Sequence, residues 1–333
     1  MRYLKNILKI FSFSLFFCLA ILAFEVSLKA FFPIYDPSGK VELQYIDEVP
    51  LLAHRESYRK QWKNTGDYNV DIYANELGFR NRKNLKNSNK DWLFVVGDSF
   101  SFGHGVNEEN RFSDLLETDF NLGNVANIAI ATDIDGYAKL IKYAQANGAK
   151  INKIILGLCI ENDFKIYNEP SKPKGGKSNF SLYNLKAFLK NNTATYNMFT
   201  QAVHGNNFLQ KMFKNMGLIK ETYTSREPHS KEIVRNTIER IRELFDDVNA
   251  DESHVLLIPH RGIWLDKKRK EHLEVHYLTK SLLNEMTINV IDPLDSFEES
   301  GDPMIYLFKH DGHWNEMGHK LVSEVIFKSL KKM

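Results

Sequence analysis

The chain has 333 residues, 43% apolar and 26% charged, which is globular composition with enough apolar material for a substantial core. Its net charge of +2, with lysines interleaved among acids, argues against a nucleic-acid partner, which would call for a concentrated basic face. The two cysteines, Cys18 and Cys159, include one inside an apolar N-terminal run, so neither a disulfide framework nor a Cys/His zinc pattern is expected.

Arg2, Lys5 and Lys9 precede an uncharged stretch, Ile10 to Phe24, which ends at Glu25. Apolar Val26, Leu28, Phe31 and Phe32 continue the pattern, so a transmembrane span over about residues 7–28 is feasible. The basic flank places the N-terminus in the cytoplasm and the remainder outside, at the membrane as a single-pass protein. A leader cut after Ala23 fits less well, because bulky Ile21 stands where a small residue is favoured, and a buried N-terminal helix is the third option. We read residues 1–31 as a signal anchor, 32–90 as a polar, irregular connector packing on the catalytic domain, and 91–333 as that domain.

From Trp92 strands and helices alternate. Trp92 to Val96 is a buried strand and Arg111 to Phe120 a helix. Val125 to Ile130 is a second strand, Asp135 to Asn147 a helix stopped by Gly148, and Lys153 to Leu158 a third strand. Residues 168–228, with Pro170, Pro173 and Gly175-Gly176, read as an insertion or cap holding helices at Leu182 to Leu189 and Phe208 to Met216, without a strongly apolar lid. Ser230 caps a helix over Lys231 to Asp247; His254 to Pro259 is a fourth strand, Lys267 to Met286 a helix, Ile288 to Ile291 a fifth strand and Met317 to Lys331 the last helix. The alternation predicts a parallel five-stranded sheet in a flavodoxin-like three-layer α/β/α sandwich, with chemistry at the carboxyl ends of its strands.

Three segments carry that chemistry. Gly97-Asp98-Ser99 follows the first strand, where a serine hydroxyl is exposed and a helix start offers backbone N–H groups to an oxyanion. Serine needs a base, and His313, with Asp311 two residues before it, supplies an imidazole that a carboxylate can orient. Asn162 follows the third strand, and its amide can donate to a developing oxyanion. Asp98 reads as a turn-forming residue, Cys159 as a small core residue, His104 as structural, and His260-Arg261 as a candidate contact for an anionic group.

These residues resemble the SGNH, or GDSL-like, hydrolases and acyltransferases. The first block is matched by Gly97-Asp98-Ser99 with Phe102-Gly103-His104-Gly105-Val106, and the third by Asn162-Asp163. Asn127-Ile128-Ala129-Ile130-Ala131-Thr132 matches the second in part, with Thr132 where the family has a glycine whose N–H serves the oxyanion. The last block is Asp311-x-His313-Trp314 instead of the usual Asp-x-x-His, and looks like that of periplasmic proteins that O-acetylate exopolysaccharides; Leu77-Gly78-Phe79-Arg80 looks like a segment preceding the domain in membrane-anchored members. The resemblance implies catalytic Ser99, His313 and Asp311, an oxyanion hole of Ser99, Thr132 and Asn162, and no cofactor or metal. It implies a serine esterase or O-acyltransferase whose partner is an acylated carbohydrate or other ester. The other function class is a non-catalytic glycan-binding or scaffold protein of an envelope complex.

Overall fold

The structure is a computed structural model describing residues 2–37, 40–63, 65–167, 182–218 and 227–332. In chain order its elements are α1 (Arg2–Phe31), β1 (Leu43–Ile46), β2 (Val49–Leu52), β3 (Ser57–Trp62), β4 (Asn69–Ala74), β5 (Leu93–Gly97), α2 (Ser99–Phe102), α3 (Phe112–Thr118), β6 (Val125–Asn127), α4 (Ile134–Ala146) and β7 (Lys153–Cys159). There follow α5 (Leu182–Asn192), α6 (Ala194–Gly205), α7 (Asn207–Asn215), α8 (Lys231–Val248), β8 (Glu252–Ile258), α9 (Gly262–Leu265), α10 (Arg269–Glu285), β9 (Asn289–Ile291), α11 (Leu294–Glu298) and α12 (Glu316–Leu330). The Pro170, Pro173 and Gly175-Gly176 loop of the expected insertion lies outside the described residues.

The chain divides into two compact units. One gathers Met1–Lys40, Trp62–Gly66 and Lys172–Lys220; the other gathers Val41–Gln61, Asp67–Ser171 and Glu221–Met333. The larger unit is built on a five-stranded sheet in the order β6-β5-β7-β8-β9, parallel throughout. Successive strand residues point to opposite faces, and both faces are apolar. Phe94, Val96, Leu156 and Leu257 share one core with Tyr137, Leu140 and Ile141 of α4 and Ile238 and Ile241 of α8. Leu93, Val95, Ile155 and Leu256 share the other with Phe112 and Leu116 of α3 and Val322 and Ile326 of α12. Helices thus cover both faces, giving the three-layer α/β/α arrangement.

The sheet strands lie within a few residues of their expected positions. The second is shorter than expected, ending at Asn127: that side chain accepts from Ala129 N–H (3.0 Å) and donates to the Ser101 carbonyl (2.8 Å) and Ser113 Oγ (2.9 Å), which turns the chain out of the ladder. Residues 43–74 hold four short strands where irregular chain was expected. β1 and β2 pair antiparallel with Ile46 opposite Val49, and β3 pairs with β4.

In the smaller unit α1 contains an apolar stretch, Lys9–Phe31, of 23 residues, within which an 18-residue window has mean hydropathy 2.2 and is unburied. At 1.5 Å per residue that is about 34 Å, enough to cross a bilayer core. By length and composition it fits either an anchor or a leader. The Glu25 carboxylate accepts from the backbone N–H groups of Ala194 (2.6 Å) and Thr195 (2.9 Å), satisfying the start of α6, and Lys29 Nζ donates to the Asn192 carbonyl (3.2 Å). Leu28 is buried, and Asn197 Nδ2 donates to the Tyr35 carbonyl (3.0 Å).

Candidate active site

The strand order reverses at β5: the chain passes from β5 to β6 on one side, then to β7 on the other. A crevice opens at the carboxyl end of such a switch point. Ser99 stands there as the first residue of α2, with Asp98 as its N-cap accepting from Phe100 N–H (2.9 Å). The turn is tight. A Cβ on Gly97 would meet Ser101 Oγ at 2.4 Å, and one on Gly157, its partner across the ladder, would meet the same oxygen at 2.0 Å.

Ser99 Oγ lies 2.8 Å from His313 Nε2. His313 Nδ1 in turn donates to Asp311 Oδ1 in a short hydrogen bond. The imidazole is about one-fifth exposed and the carboxylate almost fully buried. The His313 ring packs on Phe100 (centroids 4.8 Å apart), which itself meets buried Trp314 edge-on at 5.0 Å. The bulk of Trp314 thus backs the histidine it follows.

Asn162 is exposed, and its Nδ2 donates to Asp98 Oδ2 (3.2 Å), so Asp98 orients the amide as well as capping the turn. An amide nitrogen carries two hydrogens, and this bond engages one. Burial raises the Asp98 carboxyl above its ordinary range, against the pull of its Asn162 and Phe100 donors. Burial, then the Asp98 charge, raises Asp163 well above its range, although Tyr137 Oη (2.8 Å) and Cys159 N–H (2.7 Å) donate to it. Cys159 is buried at the end of β7. Thr132 is engaged with α4: its carbonyl accepts from Tyr137 Oη (3.3 Å), and its side chain fills the space a Cβ on Gly136 would need.

Around Asp311 lies a network that sequence motifs do not reveal. Gly105 N–H donates to Gln61 Oε1 (2.7 Å), which turns Gln61 Nε2 toward His104 Nδ1 (2.9 Å). His104 therefore carries its hydrogen on Nε2 and donates to Tyr68 Oη (2.6 Å), which donates to Asp311 Oδ2 (3.4 Å). Arg261, a candidate for anion contact, is bidentate to Glu161 (2.8 and 2.6 Å) and reaches the Asp311 carbonyl (3.5 Å). Arg80, fully buried, donates to the carbonyls of Phe102 (3.1 Å), Gly103 (2.7 Å) and Val106 (2.6 Å), latching the loop after α2.

His104, Asp311 and His313 also have the composition of a metal site, with donor atoms within 4.8 Å of one another. The donors do not fit that use. Each ring nitrogen is already committed: to Gln61 and Tyr68 in His104, and to Asp311 and Ser99 in His313.

No protein-family model matches the chain, and no curated protein does. Solved structures resemble it in chain path. One is a lipolytic protein of the G-D-S-L family from Veillonella parvula DSM 2008, at 12% identity and TM-score 0.40, over 73% of this chain and 99% of that one. Another is the lipase/acylhydrolase from Enterococcus faecalis, at 11% and 0.43, over 72% and 95%. A third is the acetyl xylan esterase AlAXEase, at 10% and 0.39, over 72% and 99%. Likeness at this level speaks to neither substrate nor chemistry; those are argued from the side chains.

Proposed function

We propose that the chain is a serine esterase or O-acyltransferase of the SGNH kind, acting on ester-linked acyl groups through an acyl-enzyme. The observation that carries this reading is the unbroken line from Ser99 Oγ through His313 to Asp311 at the sheet's switch point. Ser99 Oγ attacks the acyl carbonyl carbon as its proton passes to His313 Nε2, and Asp311 holds the imidazolium through Nδ1. The oxyanion is met by the Ser99 backbone N–H, free of intrahelical bonding as the first of α2, and by the second hydrogen of Asn162 Nδ2. Collapse expels the alkoxide, which takes the proton from His313. Water or an acceptor hydroxyl then gives its proton to His313 and attacks the acyl carbon, and collapse releases Ser99, whose Oγ takes that proton back from His313. Thr132 is the third donor this reading carries from the second block.

The finer reading is an acetyl ester on a cell-envelope or exported polysaccharide. It rests on the Asp311-x-His313-Trp314 block and on α1 acting as a retained anchor that leaves the catalytic unit outside the cytoplasm. Support for retention comes from Glu25, Leu28 and Lys29: removing the helix would strip the start of α6 of its acceptor.

The full chain in detergent should release acetate from an activated aryl acetate and label with a fluorophosphonate. Ser99→Ala should lose both. Labelling that persists in that variant would reject the nucleophile. Supplying an acetylated donor with a glycan acceptor separates transfer from hydrolysis by where the acetyl group ends.

A further inference from the structure

We infer that α5–α7 form a platform seated on an anionic bilayer surface, apolar side chains in the interface and lysines on the headgroups. The inference rests on the reading of α1 as a membrane span. The sequence shows a charge segregation that whole-chain balance conceals. Residues 170–220 hold eight lysines and no Asp or Glu, whereas the whole chain carries 44 basic and 42 acidic side chains. The other 282 residues therefore hold 36 and 42, and the basic excess belongs to this segment alone.

Its described part, 182–218, leaves large apolar side chains in the open. Phe188, Phe199, Phe208, Met216 and Leu218 are each at least half exposed, and no residue of α7 is buried. In α7 the residues Phe208, Leu209, Met212 and Phe213, with Met216 just beyond, cover about 140° of the helix circumference at 100° per residue. Lys211 and Lys214 occupy the opposite arc. A basic amphipathic helix of this kind lies in the plane of a membrane interface, its apolar face about 5–10 Å deep. Anionic headgroups attract such lysines.

The occupant follows from the neighbour. The start of α6 is bonded to Glu25, the first charged residue after the apolar run, and α7 follows α6 directly, with Phe199 and Phe213 in edge contact at 5.9 Å. If α1 crosses a bilayer as Lys9–Phe31, Glu25 lies six residues, about 9 Å, inside the outer end of that span, and the start of α6 stands at that interfacial depth. The same unit gathers further positive charge. Lys40 Nζ sits 3.6 Å over the Trp62 ring, and burial, then Lys190 and Lys63, hold its ammonium down to about 8.

The test places nitroxides on introduced cysteines in the full chain, on a Cys18→Ser background in which buried Cys159 is first verified to take no label, reconstituted in phosphatidylcholine vesicles with or without phosphatidylglycerol. Collision with oxygen against a water-soluble nickel chelate reports depth. Labels at Phe208→Cys and Met216→Cys should show an oxygen-to-nickel ratio several-fold above one at exposed Tyr277→Cys. In phosphatidylglycerol vesicles K211E/K214E should bring that ratio down at least by half. If Phe16→Cys, within the span, is lipid-exposed while 208 and 216 stay aqueous, the platform is refuted and the anchor stands. If Phe16→Cys is aqueous as well, the anchor reading fails and the platform with it. Immersion indifferent to charge reversal overturns the anionic assignment.

Discussion

The His104 ring lies against the His313 ring, 4.3 Å between centroids and 32° between planes. His104 is held from behind by Gln61 and hands its Nε2 hydrogen to Tyr68, whose hydroxyl ends on Asp311. The imidazole that faces Ser99 is thus braced through its ring face and through its carboxylate by one network. Tyr68→Phe removes the hydroxyl and leaves the ring. With a hydrogen bond contributing about 1 kcal/mol, kcat on an aryl acetate should fall roughly fivefold with KM little changed. An unchanged kcat would separate Tyr68 from catalysis.

Asn162→Ala should lower kcat by about 10²-fold, the usual effect of losing one oxyanion donor, while fluorophosphonate labelling slows and does not vanish. Asp98→Asn keeps the cap on Phe100 but replaces the acceptor of Asn162, so it should give a smaller loss of the same kind. Full activity in Asn162→Ala would remove it from the oxyanion hole.

The contact of Gly157 with Ser101 predicts a compensating pair. Gly157→Ala places a methyl 2.0 Å from Ser101 Oγ and should destabilise by about 1–3 kcal/mol in urea unfolding. Ser101 Oγ is buried without a hydrogen-bond partner, so Ser101→Ala alone should be near neutral. The double variant should recover most of the loss, because the serine Cβ stands 3.4 Å from the new methyl. Additive losses would refute the contact.

Stability should fall on acidification from near pH 6.5. His319 is fully buried, accepts from Phe112 N–H on Nδ1 (3.3 Å) and faces the Arg111 and Arg80 charges; burial first, then those charges, hold it down to about 3. Burial likewise holds His260, whose Nδ1 accepts from Gly262 N–H (2.8 Å), down to about 4. Both fold neutral. Above the unfolded value of about 6.5 they cost nothing. Below it the unfolded chain takes up protons that the folded chain refuses, so stability drops by about 1.4 kcal/mol per pH unit for each ring until the folded value is reached. The urea midpoint should trace this slope between pH 6.5 and 4, and His319→Asn should flatten it while lowering stability at neutral pH.

How much was legible in the sequence depended on how local the signal was. The strand from Leu93 to Gly97 and the helix from Ile134 to Ala146 announce themselves through apolar runs, a cap and a stop within a dozen residues. Ser99, Asn162 and His313 could be singled out because each sits beside such an element. Strand β3, Ser-Tyr-Arg-Lys-Gln-Trp, alternates exposed with half-buried residues and offers little apolar contrast, so residues 43–74 read as loop. Gln61, Tyr68 and Arg80 escaped a functional reading because their partners lie at 104–105, at 311 and at 102–106, and only folding brings them near. The interleaving of charges was a whole-chain average, which concealed the acid-free stretch from 170 to 220.

The hydroxyl and its base are 214 positions apart along the chain. On the proposed outward topology, a chain threaded across a membrane from its N-terminus would deliver Ser99 long before residue 313. Until the last helix docks, the exported part carries an ordinary alcohol and cuts no ester. Under the proposed function and topology, reactivity would be tied to complete passage, and a translocation intermediate stalled with its C-terminal segment still inside would meet esters without acting on them.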